Sequence, residues 1–203
     1  MRPLLITVLL AFFAVPMACA QDDMDMADDM DHSEMAGTMD MPPMRATDEA
    51  RPSPNAGVMV TIGTTNVMVH YGRPSINGRT YFAAGATLAP AGQVWRTGAN
   101  EAPTILFSKD VVFGGEEVPA GTYALFAIPG DTWTVILNDT AEQWGAFNYD
   151  ESADRVRVTA TPVPDAPMEE QFEIRFEDVT ASSATMVLHW GTVSVPVEIA
   201  EAE

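Results

Sequence analysis

"FEIRFEDVTASSATMVLHWGTVSVPVEI", residues 172–199, decides the fold class. Its first run sets Phe172, Ile174 and Phe176 on one side and Glu173, Arg175 and Glu177 on the other. Strict two-residue alternation marks a strand with one face on a core and one in water. "ATMVLHW" then places Met186, Leu188 and Trp190 together, and after Gly191 the run "VSVPVEI" sets Val193, Val195, Val197 and Ile199 inward. Pro196 removes a ladder donor, which predicts that this last strand lies at a sheet edge.

The same texture continues toward the N-terminus. "RVRVTA" alternates Arg155 and Arg157 with Val156 and Val158; "VPAGTYALFAI" opens on a turn, and "PGD" leads into "TWTVILN". "TILFS" and "VVF" flank Lys109-Asp110, a tight-turn signal. "VMVTIG" and "NVMVHYG" form a first pair, with Val67, Val69 and Tyr71 facing the core and Met68 and His70 facing away. About nine short strands without a long helical period predict an all-β fold, an antiparallel β-sandwich over residues 54–203.

Upstream the chemistry changes. Arg2, the apolar run Leu4–Val15 and Ala18-Cys19-Ala20 read as a signal peptide over residues 1–20. Its apolar run is too short to span a bilayer comfortably. The expectation is an exported protein, periplasmic or extracellular, with no membrane span after cleavage; the alternative is lipid anchoring through Cys19. Cys19 is the only cysteine, so the cleaved chain has neither thiol nor disulfide to rely on.

Residues 21–53 read as a disordered, acidic, Met-rich tether. "MDHSEMAGTMDMPPM" (30–44) interleaves methionine with residues that cannot build a core. Met24, Met26, Met30, Met35, Met39, Met41 and Met44, with His32, supply soft thioethers and an imidazole, a ligand set suited to Cu(I). The competing reading is an acidic spacer.

The formal net charge is −19, from 29 acids against 10 bases. Both parts contribute: the net is −8 over residues 21–56 and −12 over 57–203. Such a balance excludes a nucleic-acid footprint and disfavours anionic lipid. Self-repulsion of this size is screened by salt, which predicts salt-dependent stability.

Two irregular stretches, "YGRPSINGRTYF" with "VWRTGANEAPTILFS", and "PAGTYALFAIPG…WTVILN…QWGAFNYD", together with "VPVEI", resemble the bacterial domain-of-unknown-function family 2911. The resemblance covers roughly residues 54–200. It implies an exported, mostly β domain and brings no catalytic residue with it.

The residues themselves nominate three sites. Trp95, Arg96, Asn100 and Glu101 combine an anion grip, an orienting amide and a carboxylate; the alternative is a structural Arg96–Glu101 pair. His70, Tyr71, Arg73 and Arg79 bring two more guanidiniums, or else form a plain surface loop. Trp144, Phe147 and Tyr149 either stack on a flat ligand or plug the sandwich end. Hydrolytic machinery is missing its parts: there is no G-x-S-x-G elbow, and only His70 and His189 lie in the folded region. The first expectation is a non-catalytic binding or envelope-associated module with a Cu(I)-binding tail. The alternative is a small-ligand receptor or enzyme using Arg96, Asn100 and Glu101 with Arg73 or Arg79.

Overall fold

The alternating runs fold into eleven antiparallel strands and one 3-10 turn in the computed structural model, which describes residues 49–202. The segment expected to be a signal peptide and all the tail methionines with His32 lie outside the described residues. The strands are β1 (Asn55–Ile62), β2 (Thr65–Gly72), β3 (Thr104–Phe107), β4 (Val111–Phe113), β5 (Glu116–Val118) and β6 (Gly121–Ile128). They continue with β7 (Trp133–Asn138), β8 (Asp154–Ala160), β9 (Glu169–Glu177), β10 (Ser183–Gly191) and β11 (Val193–Glu201). One sheet runs β1-β2-β3-β6-β7-β8 and the other β5-β4-β11-β10-β9.

The inner faces meet as the alternation predicts. Val67, Val69, Ile105, Leu125, Val135 and Leu137 pack against Phe113, Ile174, Met186, Leu188, Val195 and Ile199 in one core. Each such side chain contributes about 1.5–3 kcal/mol by leaving water. Tyr71 crosses between the sheets: its hydroxyl accepts from the Ile174 N–H at 2.9 Å and donates to the Ile174 carbonyl at 3.3 Å. Burial raises the Tyr71 pKa, so the phenol stays neutral where it serves both bonds.

The six-stranded sheet is buried on its outer face too. Phe126, Ala124 and Ile136 form a second cluster there with Ala102, covered by Val94, Ala146 and Tyr149. The covering loop hangs from Asn138, which is fully buried. Its Nδ2 donates to the Asp150 carbonyl and to Asp154 Oδ1, while its Oδ1 accepts from the Thr140 N–H. A buried amide with both ends bonded fixes a loop that has no strand of its own.

Three local readings differ from the sequence. β5 was not legible as a strand, because two of its three residues are exposed glutamates. Lys109-Asp110 does not close a hairpin; Ser108–Asp110 carries the chain from β3 in one sheet to β4 in the other. β11 is interior rather than an edge, lying between β4 and β10. Proline is nevertheless accommodated, because β4 reaches only Ile199–Glu201 and a lone bridge to Val163 ends at Ser194. The missing Pro196 N–H falls in the gap between them, where no strand waits for it.

Candidate functional site

Residues 73–103 connect neighbouring strands β2 and β3 without a strand of their own. That far exceeds the roughly 12–15 residues beyond which structureless loops are usually functional. Aromatic residues anchor this loop across the sandwich end. Phe82 packs at 4.6 Å from Trp133 and 5.6 Å from Trp95; Trp95 stacks at 5.7 Å on Trp190 from the opposite sheet. Trp95 is also hydrogen-bonded in both directions to Ala127 of β6.

The segment after Trp95 lies hard against the end of β2. The Ala99 N–H donates to the Gly72 carbonyl at 3.2 Å, and a Cβ on Gly72 would stand 2.4 Å from the Ala99 carbonyl oxygen. A Cβ on Gly98 would meet the Gly72 carbonyl at 2.9 Å. Gly98 is therefore required for space. The left-handed conformations fall beside it, on Thr97 (φ 44°) and Asn100 (φ 65°). Thr97 is a β-branched residue in a costly conformation, held there by its hydroxyl donating to the Leu125 carbonyl at 2.7 Å. Among the described residues, five of the seven non-glycine positions with positive φ lie between Asn77 and Asn100. Strain concentrated this way is typical of functional loops.

These contacts leave a cleft of about 280 Å³, lined among others by Ser53, Arg79, Leu88, Trp95, Arg96, Asn100 and Trp190. Its size sits at the small end of ligand pockets. None of its lining residues is acidic, although acids outnumber bases almost threefold in the chain. Arg79 is tied down by Nε to the Ile76 carbonyl and Nη2 to the Ser75 carbonyl, two bonds from a group with five N–H donors. Arg96 is half-buried, and its Nε is enclosed without a hydrogen-bond partner. Burial alone holds the Arg96 pKa below its usual value, with no carboxylate acting the other way.

The other nominated residues go elsewhere. Glu101 does not serve Arg96; both its oxygens accept from Arg51 Nη1, at 3.0 and 2.7 Å. Arg73 donates to the Phe172 carbonyl at 3.0 Å and lies outside the cleft lining. Asn100 Nδ2 donates to the Ser53 carbonyl at 3.2 Å, which draws residues 51–53 across one wall. Sequence reasoning missed Arg51, Ser53 and the Trp190 wall, because all three are joined to the loop only by the fold.

The family described as "Protein of unknown function (DUF2911)" matches residues 53–199, almost all of the described chain. The chain belongs to this family. No curated protein and no solved structure matches it. Every cleft-lining residue falls within the DUF2911 segment, whereas Arg51 precedes it.

Two further features of this DUF2911 domain bear on chemistry. Trp144 and Phe147 are exposed on the outer-face loop, 56% and 83% respectively, while Tyr149 packs edge-on to Phe126 at 5.0 Å. The loop covers the sheet's outer face rather than plugging the sandwich end. Separately, Glu169, Glu173 and His189 gather on β9 and β10 with spacing a metal could use. A guanidinium already serves this cluster: Arg175 lies 2.7 Å from His189 Nδ1, 2.6 Å from Glu177 and 3.6 Å from Glu173. Because the guanidinium can only donate, Nδ1 must accept and the proton sits on Nε2. The set fits a salt-bridge network better than a metal centre. Among the described residues no helix is long and apolar enough to cross a membrane.

Proposed function

We propose that this protein is an exported, non-catalytic binding module that holds a small organic anion in the Arg79–Arg96 cleft. One observation carries the reading: Arg96 presents a half-buried guanidinium, its Nε unpartnered, in an acid-free cleft of a chain with net charge −19. Among the described residues no carboxylate pairs with it, and a buried unpaired charge is costly unless a ligand completes it. Arg79 adds a second, exposed guanidinium, and Trp95, Leu88 and Trp190 add apolar lining. A carboxylate matches the guanidinium fork in a bidentate pair. The lining contains no imidazole, carboxylate or lysine to act as a general base, which supports binding over catalysis.

Titration of the full chain with benzoate, succinate, galacturonate and inorganic phosphate, followed by amide chemical shifts, tests this. Carboxylates should move signals of residues 79–100, and Arg96→Met should abolish the effect. Affinities all weaker than about 10 mM, or shifts unchanged in Arg96→Met, would refute it.

The tail supports a second role in Cu(I) buffering, since seven of the thirteen methionines fall within residues 24–44. Anaerobic Cu(I) titration against a chelator should show tight binding by the full chain and none by residues 54–203. Equal binding by both would reduce the segment to a spacer.

A further inference from the structure

Trp144 and Phe147 are the two aromatic side chains among the exposed large hydrophobics of the described residues, and they lie on one loop three residues apart. That loop is rigidly mounted. Gln143 accepts from the Ala102 N–H at 3.0 Å, Trp144 bridges to Glu101, and Tyr149 donates to Asp154 at 2.6 Å. It also borders Arg96. A Cβ on Gly145 would stand 3.1 Å from the Phe147 ring and 3.7 Å from Arg96 Nη1. Arg96 thus lines the cleft on one side and reaches the aromatic loop on the other.

Resting on the cleft reading above, we propose that the ligand is a segment of acidic glycan, an oligouronate, with one unit in the cleft and the next on Trp144 and Phe147. The chemistry of each part selects this class. The cleft lining carries two guanidiniums and no acid, so it accepts a ligand carboxylate. The loop outside presents exposed aromatic faces on an open surface. A pyranose ring stacks its apolar C–H face on such a platform while its hydroxyls remain in water. A uronate polymer supplies one carboxylate and one apolar ring face in every unit, matching a charged cleft that continues into an aromatic shelf. A lone small acid fills the cleft and leaves the shelf exposed; a neutral glycan leaves Arg96 unpaired.

Calorimetric titration of the full chain with galacturonate, trigalacturonate and maltotriose decides the matter. The trimer should bind at least about tenfold more tightly than the monomer. Trp144→Ala and Phe147→Ala should bring the trimer down to the monomer's affinity and leave the monomer unchanged. Both side chains are exposed, so neither substitution threatens the fold. Equal affinity for monomer and trimer, or indifference of the trimer to both substitutions, overturns the glycan proposal and leaves the cleft reading intact. Maltotriose binding as tightly as trigalacturonate also overturns it. Failure of every small carboxylate to bind overturns both.

Discussion

Arg96→Met separates a ligand-binding arginine from a structural one by the sign of its effect on stability. If Arg96 completed an internal ion pair, removing it would strand a carboxylate and cost about 3–5 kcal/mol. The carboxylate once expected to meet it, Glu101, is paired with Arg51 instead, at 2.7 Å. What Arg96 has is an enclosed Nε with no acceptor, a condition that costs about 1–3 kcal/mol for a fully buried group. Arg96 is only half-buried, so the lower end applies. Methionine replaces the aliphatic stem with an unbranched apolar chain that packs against the same neighbours. The expected result is a gain of about 1 kcal/mol, or about 2–4 °C in Tm, read by calorimetry in low-phosphate buffer. Carboxylate binding should vanish in the same variant. A fall in Tm of more than about 5 °C would refute the reasoning, since it would reveal a partner for Arg96 within the fold.

Three other outcomes follow from the described contacts. Gly191→Ala forces a left-handed residue (φ 62°) and sets a Cβ 2.3 Å from the Tyr81 ring, so urea unfolding should show a loss of more than about 3 kcal/mol; a loss under about 1 kcal/mol would mean the ring moves aside freely. The Tyr149 pKa is raised first by burial and then by its hydrogen bond to Asp154. A raised folded pKa leaves its stability contribution whole below the unfolded value near 10.0 and removes it as pH climbs toward the folded value. Absorbance at 295 nm should therefore show Tyr149 ionising late, by difference against Tyr149→Phe, and that variant should lose less stability at alkaline pH. Tm should rise between low and molar salt as the net charge of −19 is screened; an unchanged Tm would count against adaptation to salt.

The sequence displayed what is periodic and concealed what depends on topology. β9, β10 and β11 were visible because every second residue enters the core. The step at Ser108–Asp110 was not, since a turn within a sheet and a crossing between sheets use the same polar residues. Pro196 was read as an edge signal, and the fold meets that need with a short gap in an interior strand. At the site, Arg79, Trp95, Arg96 and Asn100 were named from residue type, and the fold gathers all four around one cleft. Glu101 was paired with the wrong arginine, because its partner lies fifty residues upstream, a distance no local spacing reveals. Trp190 looked like core, and it is core; the same indole also forms a cleft wall.

The ties from Arg51 to Glu101 and from Asn100 to Ser53 make the start of the domain part of the cleft itself. If the proposed anion binds there, its occupancy and the seating of residues 51–53 are thermodynamically linked, each favouring the other by the same free energy. On that proposal, displacing residues 51–53 loosens one wall and weakens the grip on the anion, while filling the cleft stiffens that wall. Residues 51–53 then act as a wall of the site as well as the entry to the first strand.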